Sequence, residues 1–519
     1  MNKIIKDILI TAATVTFING SAIAQHASNP VIFADVPDMS MIRVGNTYYM
    51  SSTTMHMNPG VPIMKSADLI NWELVRYAYD TLASMDDLNM VNGRSAYGKG
   101  TWASCLRYHN GRYYVSTFAQ TTGKTYIFST DNIETGKWTT ISFGPSYHDH
   151  SLFFDDDGKS YLVYGAGNLK IVTMKPDLSG VEPGTERTLI ENASSPAGPS
   201  IALRAEGSQL FKIKNNYYLF NITWPRGGMR TVVVHRADNL NGPWEGRMVL
   251  QDLGVAQGGL IDTPDGNWFS YLFRDYGAVG RIPYLVPVTW IDGWPMPGVN
   301  GKVPEELNLP ASRGLIPGIV SSDEFTRKKK DKPLPLAWQW NHNPDNRYWS
   351  LTKRKGFLRL TTGRLYSSFT KARNTLTQRT FGPLCTATTR VDVSSLKDGD
   401  VAGLGLLQEH YGYVAIRVTG ATRELIMVNA GTKEVVVAAA IPFDKKIVYL
   451  RASCDFTDKK DEATFFYSTN GINWTAIGST LKMSYTLSHF MGYRFSLFNY
   501  ATRQTGGWAD FDYFHINNR

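Results

Sequence analysis

Three acidic side chains stand immediately ahead of apolar, strand-like runs: Asp38 in Pro37-Asp-Met-Ser-Met-Ile-Arg43, Asp149 in His148-Asp-His-Ser-Leu-Phe-Phe154, and Glu206 in Ala205-Glu-Gly-Ser-Gln-Leu-Phe211. One acid at the mouth of a strand is ordinarily a turn or cap residue. Two at the same place relative to their strands, and a third beside Gly207, whose missing side chain lets a ligand approach closely, are harder to assign to turns. A carboxylate that deprotonates water, a carboxylic acid that protonates a leaving oxygen and a third acid that tunes the second make up the equipment for direct displacement at an acetal carbon. Asp35, three residues before Asp38, rivals it as the base but lies further from the strand. The run Asp155-Asp-Asp-Gly158 falls in a hairpin turn, lacks the ligand spacing of a calcium loop, and reads as structural.

Acids this far apart need a fold that gathers strand beginnings at one point. Five stretches share an apolar strand, a polar turn with Gly or Asn, and a second strand led by aromatic residues. They begin at Met41, Leu106, Leu152, Leu210 and Leu260, spaced as four-strand propeller blades would be. Several are followed by a phrase ending in Trp, as in Ser66-Ala-Asp-Leu-Ile-Asn-Trp72, suited to filling the wedge between blades. The pattern predicts an all-β chain with a five-bladed propeller over residues 28–300, whose inner strands meet at an axis. Residues 301–320, rich in Pro and Gly, read as a linker. Alternation resumes afterwards without helical periodicity, which predicts a β-sandwich, of the concanavalin-like kind, over 321–519.

Composition narrows the function classes. Of 519 residues 43% are hydrophobic and 19% charged, which excludes a disordered chain, and three cysteines exclude a disulfide-built scaffold. Cys105, Cys385 and Cys454 read as buried free thiols. The net charge of +9 raises nucleic acid as a partner, but its densest cluster, Arg327 to Lys332, sits among prolines and acids and reads as a solvated loop; no nucleic-acid partner is expected. Lys3 and Lys6, an apolar run from Ile8 to Ile18 and Ala22-Ile-Ala24 read as a signal peptide over 1–24, giving an exported protein, periplasmic or secreted. That apolar run is too short to span a bilayer, so membrane insertion is not expected.

At the three acids the chain resembles glycoside hydrolase family 43, in its β-xylosidase and α-L-arabinofuranosidase branch with a C-terminal sandwich. The resemblance implies a five-bladed propeller that works with inversion. It makes Asp38, in Pro37-Asp38-Met39-Ser40, the general base; Asp149, in Asp149-His-Ser-Leu-Phe153, the acid that orients the donor and raises its pKa; and Glu206, in Glu206-Gly-Ser-Gln-Leu-Phe-Lys212, the general acid. It also implies that Arg281, in Gly277-Ala-Val-Gly-Arg281, reaches the innermost sugar. Gln257 stands where many members carry a His that helps hold a metal or water, so no metal site is assigned and no cofactor is required, with a structural calcium left open. Trp102 and Trp224 are candidate sugar platforms or wedge fillers, and Trp338, Trp340 and Tyr348 are sandwich aromatics that could reach the pocket rim. The expected activity is exo-acting release of terminal α-L-arabinofuranose, and of β-D-xylose as well, from plant hemicellulose oligosaccharides. The alternatives are a β-D-xylosidase and, in another class, a non-catalytic carbohydrate-binding propeller.

Overall fold

The computed structural model describes residues 26–327, 334–432 and 434–519. The expected signal peptide and the basic run from Lys328 to Lys332 lie outside the described residues. Arg327, at the near end of that run, is paired with Asp323 at 2.8 Å.

Five four-stranded antiparallel sheets follow one another along the chain, each made of consecutive blade strands, and form the five-bladed propeller that the repeats predict. Their inner strands are Ser40–Val44, Cys105–His109, Ser151–Phe154, Ile201–Ile213 and Ala256–Asp262. Turn chemistry explains the hairpins: in the second blade His109 faces Arg112 across Asn110 (φ 47°) and Gly111 (φ 79°), the doubly left-handed pair that a two-residue connection needs. Apolar side chains fill the wedges between blades, as where Tyr49 and Ile63 of the first blade pack with Leu106 and Phe128 of the second.

The serine two residues after each catalytic-type aspartate ties neighbouring blades together. Ser40 Oγ accepts the Leu106 N–H at 3.0 Å, and Ser151 Oγ accepts the Leu210 N–H at 3.0 Å. Arg107 closes the ring from the second blade, donating to Ser151 Oγ at 2.9 Å and Gln209 Oε1 at 3.1 Å. Side chains two apart on a strand share a face. The Asp-x-Ser phrases therefore combine an acid for the mouth of the axis with a hydroxyl that satisfies the next blade. Asp155, read as structural, accepts from Lys212 Nζ at 2.8 Å and Tyr217 OH at 2.7 Å, joining the third blade to the fourth.

The fifth blade is held by the chain's own beginning. Asn29 exchanges hydrogen bonds with Leu285, and the Val31 and Val36 N–H groups donate to Pro283 and Arg281. The stretch 301–320, expected to lack strands, carries one: Glu306–Pro310 pairs with His26–Ser28. Five residues ending in proline and paired with only three show too little alternation to be read from sequence.

The C-terminal part is a sandwich of two eight-stranded sheets. One of them recruits Met57–Asn58 from the first blade, which pairs with Trp340 and Asn341. The two parts thus share a sheet edge. Asp35 bolts the same junction: its carboxylate accepts the Arg281 N–H at 2.8 Å and the Gly492 N–H at 2.9 Å, and burial raises its pKa. A carboxylate spent on two backbone donors is not free to activate water, which removes Asp35 as the rival base. All three cysteines are free and buried, Cys385 facing Cys454 on adjacent strands.

Candidate active site

A repeated backbone kink presents the site. Asp38 (φ 51°), Asp149 (φ 47°), Gly207 (φ 67°) and Gln257 (φ 53°) lie just before or within the inner strands of blades one, three, four and five, all in the left-handed region. Non-glycine residues there cost on the order of 1–3 kcal/mol each and persist where the surrounding structure holds them. At position 207 glycine suits both the left-handed backbone and the close Gln257 side chain, which a Cβ would meet at 2.8 Å. These residues, with Gln209 and His150, line a small axial cavity of about 10 Å³, room for about one water molecule.

Asp38 is 4% exposed and held at both oxygens: Oδ1 accepts from Arg281 Nη1 at 2.8 Å, Oδ2 from Thr53 Oγ1 at 2.6 Å. Arg281 is itself buried. Burial opposes its charge, but Asp38, Tyr485 and Asp275 more than compensate and hold its pKa above the ordinary guanidinium value. Alternating charges continue outward from Arg281 to Asp275 at 3.3 Å and from Asp275 to Arg230 at 2.6 Å, whose guanidinium lies 5.7 Å over the Trp224 ring.

Glu206 sits where the strand Ile201–Ile213 slips register on both sides, a bulge of the kind that re-aims a side chain at an active site. Its Oε2 lies 3.1 Å from His148 Nε2, and Asp149 Oδ2 lies 3.9 Å from the same nitrogen. Burial raises the Asp149 pKa, with Glu206 and Asp38 adding to the effect and His148 opposing it. The three groups stand close enough to hold a cation or to share protons. In the axial cavity Gln257 occupies the fifth-blade position, while the buried imidazole of His150 comes from the third blade, its Nδ1 on the Tyr147 carbonyl at 2.9 Å. Burial lowers the His150 pKa to about 4 and keeps it neutral.

Residues 27–295 match the family model for glycosyl hydrolases family 43, and residues 322–517 match the β-xylosidase C-terminal concanavalin A-like domain. The chain belongs to glycosyl hydrolases family 43. Among its relatives, a β-xylosidase of Formosa agariphila is 28% identical, the alignment covering 94% of this chain and 89% of the relative. A non-reducing end α-L-arabinofuranosidase of Bacteroides ovatus is 30% identical over 64% of each chain. A solved bifunctional GH43-CE protein of Bacteroides eggerthii superposes with a TM-score of 0.95 at 64% identity, over 96% of this chain and 64% of that one. This chain therefore spans less than two thirds of that protein's length. The family 43 chain is a glycosidase, and the reading as a non-catalytic propeller falls.

The sequence reasoning missed what the sandwich contributes to this family 43 site. Trp338 and Trp340, expected near the rim, are core residues, 2% and 5% exposed. Trp338 donates Nε1 to Asp323 and packs on Phe514, and Trp340 lies in the shared sheet. Tyr348 lines a separate cleft with Asp345 and Arg373. The sandwich residues that do arrive are Phe490 and Tyr485, both before the strand Arg494–Ala501. Phe490 stands 5.5 Å from the Arg281 guanidinium carbon and 4.7 Å from the Trp102 ring. Tyr485 is half-buried in the field of Arg281, Asp35, Asp275 and Asp38, and desolvation pushes its phenol pKa up. Their only signal in the sequence is aromatic residues in a polar loop, which many loops share.

Trp102 packs between Phe490 and Phe118, and Trp224, 39% exposed, lies under the Arg230 guanidinium. His148, against Glu206, was also missed, although it directly precedes Asp149. Phe490→Ala should raise KM for a terminal glycoside by roughly tenfold, about 1.4 kcal/mol, with a smaller change in kcat, because it removes apolar surface beside the sugar and leaves the carboxyls in place. Steady-state kinetics check this, and an unchanged KM would place Phe490 outside the sugar site.

Proposed function

We propose that the enzyme is an exo-acting, inverting glycosidase that removes terminal α-L-arabinofuranose, and terminal β-D-xylose in the same pocket, from hemicellulose oligosaccharides. The observation that carries this reading is the wall formed by Trp102 and Phe490 beside the Asp38–Arg281 pair. Such an aromatic surface beside the base suits the apolar face of a single terminal sugar. The names of the Formosa and Bacteroides ovatus relatives supply the two sugars.

In this mechanism Asp38 takes a proton from a water on one face of the anomeric carbon while Glu206 protonates the leaving oxygen on the other. Arg281 holds the base and donates to sugar hydroxyls. Asp149 stands beside the donor, its Oδ2 3.9 Å from the His148 Nε2 that also meets Glu206. Inversion places the two carboxyls about 6.5 to 9.5 Å apart, with the water between them. Export by way of residues 1–24 belongs to the same reading, since it brings the enzyme to plant oligosaccharides outside the cell.

A second reading, a β-D-xylosidase acting on xylo-oligosaccharides, is favoured by the Formosa relative, which matches over nearly the whole chain. Parallel assays on aryl α-L-arabinofuranoside and aryl β-D-xyloside separate the two: the first reading expects the higher kcat/KM on the arabinoside, the second on the xyloside. Proton NMR of the first product formed should show β-L-arabinofuranose or α-D-xylose. Retained configuration would overturn the inverting assignment.

A further inference from the structure

We propose that His148 is a positioning residue that serves as the proton reserve of the general acid, holding the Glu206 carboxyl and returning to it the proton spent on the leaving oxygen. The inference rests on the assignment of Glu206 as general acid and adds a group to which the reading above gives no role. Each turnover leaves Asp38 with an extra proton and Glu206 without one. The sugar and the leaving group are then balanced, but the enzyme is not: Glu206 must be recharged before the next bond is cleaved.

Geometry singles out His148 for that task. Its Nε2 is 3.1 Å from Glu206 Oε2, a direct hydrogen bond, and its side chain is 41% exposed, so one end meets the acid and the other meets water. The edge of the Phe118 ring, 5.4 Å away at 70°, fixes the imidazole from the second blade without adding charge. The titratable groups around it are Glu206, Asp149 at 3.9 Å, Asp38 more remotely, and His150 two residues on, which is kept neutral by burial. Three acids facing one imidazole favour its protonated form. Burial alone would lower its pKa, but Glu206, Asp149 and Asp38 together raise it to about 9.

The return step is a proton transfer and nothing more. As the leaving oxygen draws the proton of Glu206, the Nε2–H bond of the imidazolium breaks and an O–H bond re-forms on the Glu206 carboxylate; the neutral imidazole then regains a proton through solvent, which receives the one that Asp38 gives up. No electrons change hands and no further reactant is needed.

His148→Gln keeps a hydrogen-bond donor beside Glu206 but has no proton to give, and His148→Ala leaves a space that imidazole can enter. On unactivated arabino- or xylo-disaccharides both variants should lose about tenfold or more in kcat. KM should stay within about twofold. The basic limb of the pH–kcat profile should move to lower pH, because the raised imidazole no longer holds the last proton. Added imidazole should restore part of the His148→Ala rate. A purely structural role predicts instead that His148→Gln behaves as the parent and that imidazole does nothing. Either result, in variants whose melting curves match the parent's, overturns the proposal. Glu206→Gln is run alongside: equal losses on good and poor leaving groups would remove the general-acid reading itself, whereas a normal Glu206→Gln result with a parent-like His148→Gln removes only the reserve.

Discussion

Glu206→Gln should lower kcat/KM on unactivated oligosaccharides by roughly 10²- to 10⁴-fold while leaving aryl glycosides of acidic phenols within about tenfold of the parent. The amide keeps the size of the side chain and its place on the bulged strand, so sugar binding and the Asp38–Arg281 pair are undisturbed. What disappears is the proton. A disaccharide leaves as an alkoxide unless it is protonated as its bond breaks, and that is costly in water-poor surroundings; a nitrophenolate leaves without help. A plot of log kcat/KM against leaving-group pKa should therefore be nearly flat for the parent and steep for the variant. Parallel lines would show that Glu206 is not the donor.

Asp38→Asn should produce the other pattern, a loss of roughly 10²- to 10⁴-fold on every substrate, whatever its leaving group. Asparagine can still accept from Arg281 at its oxygen, with its amide N–H turned to the Thr53 hydroxyl, but cannot take a proton from water. The substitution also has a stability signature. Arg281 is buried and its 2.8 Å partner would lose its charge, leaving the guanidinium to Asp275 at 3.3 Å. Breaking a buried ion pair costs about 3–5 kcal/mol when nothing else compensates, and Asp275 should keep the loss to less than that. A lowered melting temperature together with a leaving-group-independent rate loss is the expected pair of results. Full activity on activated substrates would move the base elsewhere.

Local signals made much of this legible. The blade repeats rest on turn chemistry and on strand alternation, both of which act over a few residues: Asn110-Gly111 is a hairpin turn because those residues tolerate left-handed backbone. Asp38 and Asp149 were found because each precedes an inner strand, and Glu206 because it precedes an apolar run, although it lies within its strand; the propeller gathers all three at one axis. The strand Glu306–Pro310 escaped because it is stabilised by a partner from the other end of the chain, not by its own pattern. Trp338 and Trp340 were misplaced for a related reason. An aromatic residue in a polar stretch looks the same whether it faces a pocket or a core, and only the docking of the two parts decides.

The amino-acid sequence alone therefore determined the two all-β parts and the order of the five blades, because these follow from periodicity and turns, and its short phrases singled out the three carboxylic acids. Tertiary structure alone decided the rest. It turned Asp35 into a bolt between propeller and sandwich, set Arg281 on Asp38, brought His148 against Glu206, and carried Phe490 from the far end of the chain to the pocket wall. Each of these pairings depends on distance and orientation between segments remote along the chain, and the residue types at either end do not encode which partner they will meet.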